Sequence, residues 1–281
     1  MKASRFLIIC IIIAAITSCG ASTKNNSKNM SSENQTIVKF ETNVGDFTVA
    51  LYNETPKHKE NFIKLVKEGM YDSTLFHRVI KQFMVQAGDP KSKNASDTAT
   101  LGAGDVGYTI PAEFNNELFH KKGALAAARQ GDEVNPEKAS SGCQFYIVTG
   151  RKFTEPKLLD MENQINEQRE ENIFNSLAQK HMKEIYKMRK AGDNEGLLEL
   201  QDTLESQASA MAMEEGPFKF TKKQIDAYTT IGGTPHLDGA YTVFGEVIEG
   251  MDTIEKIENS KTGRADRPTN DIRILKATVV E

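Results

Sequence analysis

Phe76-His77-Arg78-Val79-Ile80-Lys81-Gln82-Phe83-Met84-Val85-Gln86-Ala87-Gly88-Asp89 is the stretch on which the reading of the fold turns. It holds two short strand candidates, 76–79 and 83–86, and Gly88-Asp89 punctuates the second. A long glycine-containing stretch, 88–107, separates this pair from further candidates at 124–128 and 144–148. Upstream, Ile37-Val38-Lys39-Phe40-Glu41 and Phe47-Thr48-Val49-Ala50-Leu51 alternate as strands do, and Asn43-Val44-Gly45-Asp46 joins them as a hairpin. Thr55-Pro56 offers a helix N-cap followed by proline at the first helical position. Phe62, Ile63, Val66 and Met70 share one face of that helix, and Gly69 signals its end. Near the far end, 241–248 and 272–280 read as strands with a short helix, 252–258, between them. Many short strands with two helices predict a mainly β fold, a closed β-barrel capped by those helices.

Residues 155–230 break this style. Two runs, 158–190 and 195–215, are rich in Glu, Lys, Gln, Leu and Met and show no strand alternation. Leu197, Leu200, Leu204, Ala208 and Met211 recur at helical spacing, and Ala191-Gly192-Asp193-Asn194 suits a turn from the preceding helix, whose facing stripe is Ile173, Leu177, Ile185 and Met188. An inserted antiparallel α-helical hairpin is expected, with a break where 166–172 turns strongly polar. Thr221 and Gln224 match a capping box that leads a third short helix carrying Ile225 and Tyr228.

The stretch 76–89 resembles the signature of cyclophilins. The likeness continues, in the family's order, through Gly123-Ala124-Leu125-Ala126-Ala127-Ala128-Arg129, Ser141-Gly142-Cys143-Gln144-Phe145-Tyr146-Ile147, Leu237-Asp238-Gly239 and Val243-Phe244-Gly245. It implies a closed antiparallel barrel of about eight strands over 36–154 and 231–281, with 155–230 as insertion. It also implies peptidyl-prolyl cis-trans isomerase activity. Under the resemblance Arg78, Phe83 and Gln86 are catalytic: Arg78 meets the prolyl nitrogen, Gln86 bonds substrate backbone and steadies the arginine, and Phe83, Met84, Tyr146 and Leu237 form the pocket for the proline ring. Gln144, Ala128 and the backbone of Arg129 line the adjoining groove. His236 stands where the best-known members have tryptophan, Tyr241 where they have histidine, and Tyr146 where they have phenylalanine. Loss of that indole implies weak inhibition by cyclosporin, while Tyr241 keeps an apolar wall with a polar tip. His77 is expected to be a hydrogen-bonded structural histidine.

The N-terminus sets the expected location. Lys2 and Arg5 precede an apolar run from Phe6 to Ile16, and Thr17-Ser18-Cys19 follows, the order of a secretory signal. Ile16-Thr17-Ser18-Cys19 further resembles a bacterial lipoprotein signal, cleaved after residue 18 so that Cys19 carries lipid. Residues 19–35 are polar and poor in apolar side chains, hence an expected disordered tether. The protein is thus expected to be exported and membrane-anchored through Cys19, facing the periplasm or cell exterior.

Composition narrows the partners. Hydrophobic residues at 38% support a core, and a net charge of −4 does not suit a nucleic-acid binder. His58, His77, His120, His181 and His236 lack metal-ligand spacing, and no phosphate-cradling loop is present, so neither cofactor nor metal is expected. Cys143, between two strand segments with no sequence cue for a base, reads as a buried small residue. The expected partners are proline-containing unfolded or exposed segments of exported proteins. A client-binding chaperone or scaffold that grips through the insertion, and an oligomer joined through that hairpin, remain open alternatives.

Overall fold

The computed structural model describes residues 35–280. The expected signal, 1–18, Cys19 and the tether up to residue 34 therefore lie outside the described residues. Chain order is β1 (Thr36–Thr42), β2 (Gly45–Leu51), α1 (Pro56–Lys67), β3 (Arg78–Ile80), β4 (Met84–Ala87), β5 (Thr109–Ile110), β6 (Ala124–Ala127), β7 (Ser140–Ser141) and β8 (Phe145–Val148). It continues with α2 (Glu155–Lys180), α3 (Met182–Ala191), α4 (Asn194–Glu215), α5 (Lys222–Thr230), β9 (Val243–Glu249), α6 (Met251–Glu258) and β10 (Ile274–Val280).

Eight strands form one antiparallel sheet in the order β10-β1-β2-β9-β6-β8-β4-β3, and β5 and β7 pair separately. The expected strand count and direction hold, but closure does not appear as a ladder: β3 and β10 are the two edges. Between them stand an isolated bridge, Leu75 to Arg273, and backbone bonds from Phe76 to Ile272 and from Ser73 to Ile274.

Side-chain alternation gives this sheet two apolar faces. Val79, Val85, Ala87, Leu125, Ala127, Phe145 and Ile147 point into the main core with Phe40, Phe47, Phe62 and Phe244. The alternate residues Met84, Ala124, Ala126, Tyr146 and Val148 belong to a second cluster, against which Ile80, Phe83, Ala128, Leu237 and Tyr241 pack. A strand period of two thus delivers one set of residues to the core and the next to the opposite face. In the main core Phe40 and Phe47, paired across β1 and β2, stack with ring centroids 4.8 Å apart.

Helix α1 starts at Pro56 as expected, but the expected cap is not made: Thr55 offers no side-chain bond to the helix. Glu113 replaces it, accepting the backbone N–H groups of Lys57 and His58 at 3.1 and 3.0 Å. A carboxylate there meets both the free donors and the positive end of the helix.

The insertion is longer in parts than the expected hairpin. α2 runs unbroken through 166–172, and the break comes at His181, whose φ is −93° and ψ 8°. The polar residues are used rather than disruptive: Asn166 brackets the backbone of Phe218, Glu162 accepts from the Phe220 N–H, and Arg169 donates to the Gly216 carbonyl. They satisfy the irregular return segment 216–220, which has no ladder of its own. Pairing of Arg169 with Glu215 and of Glu170 with Ser209 makes α2 and α4 antiparallel neighbours. Gly192 closes α3 in the left-handed conformation, φ 70°, and Asp193 caps α4. The Thr221–Gln224 capping box opens α5 as read from the sequence. Phe119 of the β-body, Leu158 of α2, Phe220 and Tyr228 of α5 form a third apolar cluster that roots the insertion.

Candidate active site

β3 and β4 pair so that Arg78 stands directly opposite Gln86 on the face away from the main core. Arg78 Nη1 donates to Gln86 Oε1 at 3.4 Å. Gln86 is held in turn: its Nε2 donates to Gln144 Oε1 at 3.0 Å, and Gln144 Nε2 donates to the carbonyls of Gly102 and Gly104 at 2.9 and 2.7 Å. This chain of amides leaves the Gln86 carbonyl oxygen facing the guanidinium. Arg78 is half-exposed and also lies 3.8 Å from the Asp266 carboxylate.

The loop carrying Leu101, Gly102 and Ala103 forms one side of the cavity, and Asp89 pins it. Its fully buried carboxylate accepts the N–H groups of Lys91 and Gly102 at 2.7 and 2.5 Å. A side chain at Gly104 would collide with that carboxylate, its Cβ falling 1.9 Å from Asp89 Oδ1. Gly88, φ 91°, brings the end of β4 so close to the Cys143 carbonyl that a Cβ would lie 2.4 Å away.

Beside Arg78 opens a cavity of about 420 Å³ lined by Phe83, Met84, Gln86, Ala128, Arg129, Tyr146, Leu237 and Tyr241. Nine of the residues singled out in the sequence, Arg78 included, therefore meet in one place. Gln144 does not line it but lies behind Gln86, in an adjoining hollow with Gly102, Ala128 and Arg129. His236 also stays outside; its ring stacks on Phe83 with centroids 5.6 Å apart. Arg129 contributes more than backbone: its guanidinium lies 4.5 Å from the centre of the Tyr241 ring while Nε donates to the Ala240 carbonyl. Residues 264–267 complete the rim, with Ala265 and Asp266 at positive φ; sequence gave no cue to them.

Tyr146 exposes a polar system that sequence reasoning missed. Burial raises its hydroxyl well above the ordinary tyrosine range, so it remains a donor. Its partner is His120 Nε2 at 2.9 Å, and His120 Nδ1 donates to Asp238 Oδ1 at 2.8 Å. Asp238 Oδ2 accepts the Tyr228 hydroxyl from α5 at 2.5 Å. The insertion thus braces the residue next to Leu237 and, through His120, the pocket ring. An Asp-Gly pair and a tyrosine in place of phenylalanine were the only visible hints.

Of two expectations about single residues, that for Cys143 holds and that for His77 does not. Cys143 is buried, and burial pushes its thiol up to about 11, as suits a packing residue. His77 is buried too, but neither ring nitrogen has a hydrogen-bond partner, contrary to the expected bonded histidine. Burial lowers its pKa to about 4, outweighing the nearby Asp89.

The chain has relatives among known proteins. The family described as "Cyclophilin type peptidyl-prolyl cis-trans isomerase/CLD" matches residues 37–279. A protein of Staphylococcus saprophyticus subsp. saprophyticus named "Putative peptidyl-prolyl cis-trans isomerase" is 34% identical over 251 residues, covering 88% of this chain and 93% of that protein. One of the same name from Staphylococcus aureus is 32% identical over 245 residues, covering 87% and 91%. Among solved structures, a cyclophilin type peptidyl-prolyl cis-trans isomerase of Cryptosporidium parvum superposes with a TM-score of 0.51 at 20% identity, covering 88% of this chain and 99% of that one, a likeness of fold. With a family match across nearly all of its described residues, the chain belongs to the cyclophilin-type peptidyl-prolyl cis-trans isomerases.

Proposed function

We propose that the cavity beside Arg78 accelerates rotation about X-Pro bonds by stabilising the twisted amide. The reaction needs no nucleophile, because its barrier of roughly 18–20 kcal/mol is lost resonance. In the planar state the prolyl nitrogen shares its lone pair with the carbonyl; at the twisted state that pair becomes a hydrogen-bond acceptor. Arg78 is the donor aimed at it, its guanidinium presenting a planar fork of N–H groups. Because the acceptor exists only near the top of the barrier, the bond acts on the transition state rather than on the bound substrate. Phe83, Met84, Tyr146 and Leu237 hold the proline ring, Gln86 orients Arg78 and meets substrate backbone, and Gln144, Ala128 and Arg129 line the groove beside it. The observation that carries this reading is the cross-strand placement of Arg78 and Gln86 over an apolar floor on the sheet face opposite the core.

On this reading 36–154 and 231–281 form the isomerase body, a barrel whose seam is the Leu75–Arg273 bridge, and 155–230 its insertion. Export, lipidation at Cys19 and action on exported proteins follow from the N-terminal sequence. The decisive assay is cis-to-trans turnover of a proline tetrapeptide by wild type and Arg78→Ala, with folding checked by circular dichroism. The variant is expected to lose about 10²- to 10³-fold in kcat/KM while remaining folded; equal turnover would remove Arg78 from the mechanism.

A second reading, client holding by the insertion, is favoured by the exposed Met182, Tyr186, Leu198 and Met213 on α3 and α4, each more than half accessible. Such an arm grips unfolded chains or pairs with a second copy.

A further inference from the structure

The cavity beside Arg78 does not end at Tyr241. The same residue lines a second hollow, a groove of about 720 Å³ between the root of the insertion and the β-body. The insertion contributes Met161, Ile165 and Phe218, and the β-body contributes Phe114, a residue 43% exposed. His236, whose ring stacks on Phe83 of the proline cavity, also lines the groove, so the two hollows meet at Tyr241 and are separated by the Phe83–His236 pair. Side-chain amides of Asn115, Gln164 and Gln168 border the apolar strip. An extended backbone, with its unpaired N–H and C=O groups, needs partners of that kind.

Charge on the groove is one-sided. Lys138, Arg169 and Lys219 line it, and the single lining carboxylate, Asp238, is already engaged by His120 and Tyr228. Arg169 is paired with Glu215, which leaves Lys138 and Lys219 as the cations that face an incoming chain.

We propose that this groove is an exosite for the stretch of substrate polypeptide that flanks the proline, bound extended, with an apolar or aromatic side chain on the Phe114–Met161–Phe218 strip and an acidic residue near Lys138 and Lys219. The proposal rests on the isomerase reading and adds a substrate class to it: unfolded segments long enough to fill both hollows. Roughly six residues of extended chain span on the order of 20 Å, a reach that lets a segment held at its proline continue past Tyr241 into the groove. Because the groove requires the insertion, tetrapeptides do not report on it.

The test compares turnover of a proline tetrapeptide with that of peptides carrying the same four residues plus a six-residue extension, containing one Phe and two Asp, on either side. Binding of the extended peptides is followed separately by fluorescence anisotropy. Wild type is expected to bind one extended peptide about tenfold more tightly than the tetrapeptide, and to turn it over with a correspondingly lower KM. Phe114→Ala combined with Lys219→Glu is expected to abolish that gain and leave tetrapeptide turnover unchanged, and replacing the two Asp by Lys in the peptide should do the same. No gain from either extension, or a gain that survives the double substitution, overturns the proposal. So does sedimentation showing a wild-type dimer that the double substitution dissociates, since the groove would then be filled by a second copy. Loss of tetrapeptide turnover alone would count against the isomerase reading, while anisotropy would still decide the groove.

Discussion

Arg78 draws its position from cross-strand pairing and from an amide chain that ends on the backbone of Gly102 and Gly104. Its pairing with Asp266 is half-exposed and contributes little to stability. His77, one residue earlier, is buried beside the same cavity and has the more marked thermodynamic consequence. Below about pH 6.5 the unfolded chain takes up a proton that the folded chain refuses until about pH 4, so stability falls as pH drops through that window, by up to about 3 kcal/mol. Burial also depresses His58 and His236, which act in the same sense. His77→Leu is expected to flatten part of this acid limb: urea unfolding at pH 7 and pH 5 should show a smaller difference than wild type, and an unchanged difference would mean that the ring is solvated. His236 stacks on Phe83, and the family resemblance implies that this smaller, more polar ring stands where an indole would be. Cyclosporin is accordingly expected to inhibit tetrapeptide turnover only at micromolar concentration or above, and His236→Trp to lower that concentration; nanomolar inhibition of wild type would show that the indole is dispensable.

Among elements, α1 shows how a local signal is overridden. Thr55-Pro56 is a sound start for a helix, yet the free N–H groups go to Glu113, which reaches them from a loop far along the chain and also lies 2.6 Å from His58 Nδ1. A carboxylate accepting three donors is a stronger cap than a hydroxyl. Glu113→Ala is expected to cost about 1–3 kcal/mol in urea unfolding at neutral pH, because three donors lose one acceptor; a cost near zero would show that Thr55 rotates in to cap the helix. α2 makes the complementary point, since the polar run that suggested a break supplies Asn166 and Arg169, which with Glu162 hold 216–220.

At the scale of the whole molecule, the insertion divides into a root and an arm. The root, Leu158, Phe220 and Tyr228 with Phe119, touches Asp238 and so reaches the pocket. The arm beyond Glu170 and Ser209 carries three of the exposed apolar residues, Met182, Tyr186 and Leu198, and lines no part of the cavity beside Arg78. Deleting 172–207 and joining the ends with a short Gly-Ser turn is expected to leave tetrapeptide turnover within about twofold of wild type, as for remote, independent sites. Deleting all of 155–230 should lower it about tenfold or more, because Tyr146 and Leu237 lose the brace on which their placement depends. If the arm grips clients, the shorter deletion alone will abolish protection of a refolding protein.

Sequence by itself determined the elements whose signals are local: the β1–β2 hairpin, the Thr221–Gln224 box, the turn at Gly192, and the alternation that puts Arg78, Met84, Gln86 and Tyr146 on one face and Val79, Val85 and Phe145 on the other. Local periodicity and turn chemistry depend on near neighbours in the chain, and neighbours are what a sequence displays. Only the tertiary structure decided that Glu113 caps α1, that His77 is left without a partner, that the sheet has edges at β3 and β10, and that Tyr228 of the insertion braces Asp238. Each of these depends on groups tens or hundreds of residues apart, whose meeting is set by packing, and packing leaves no period in the chain.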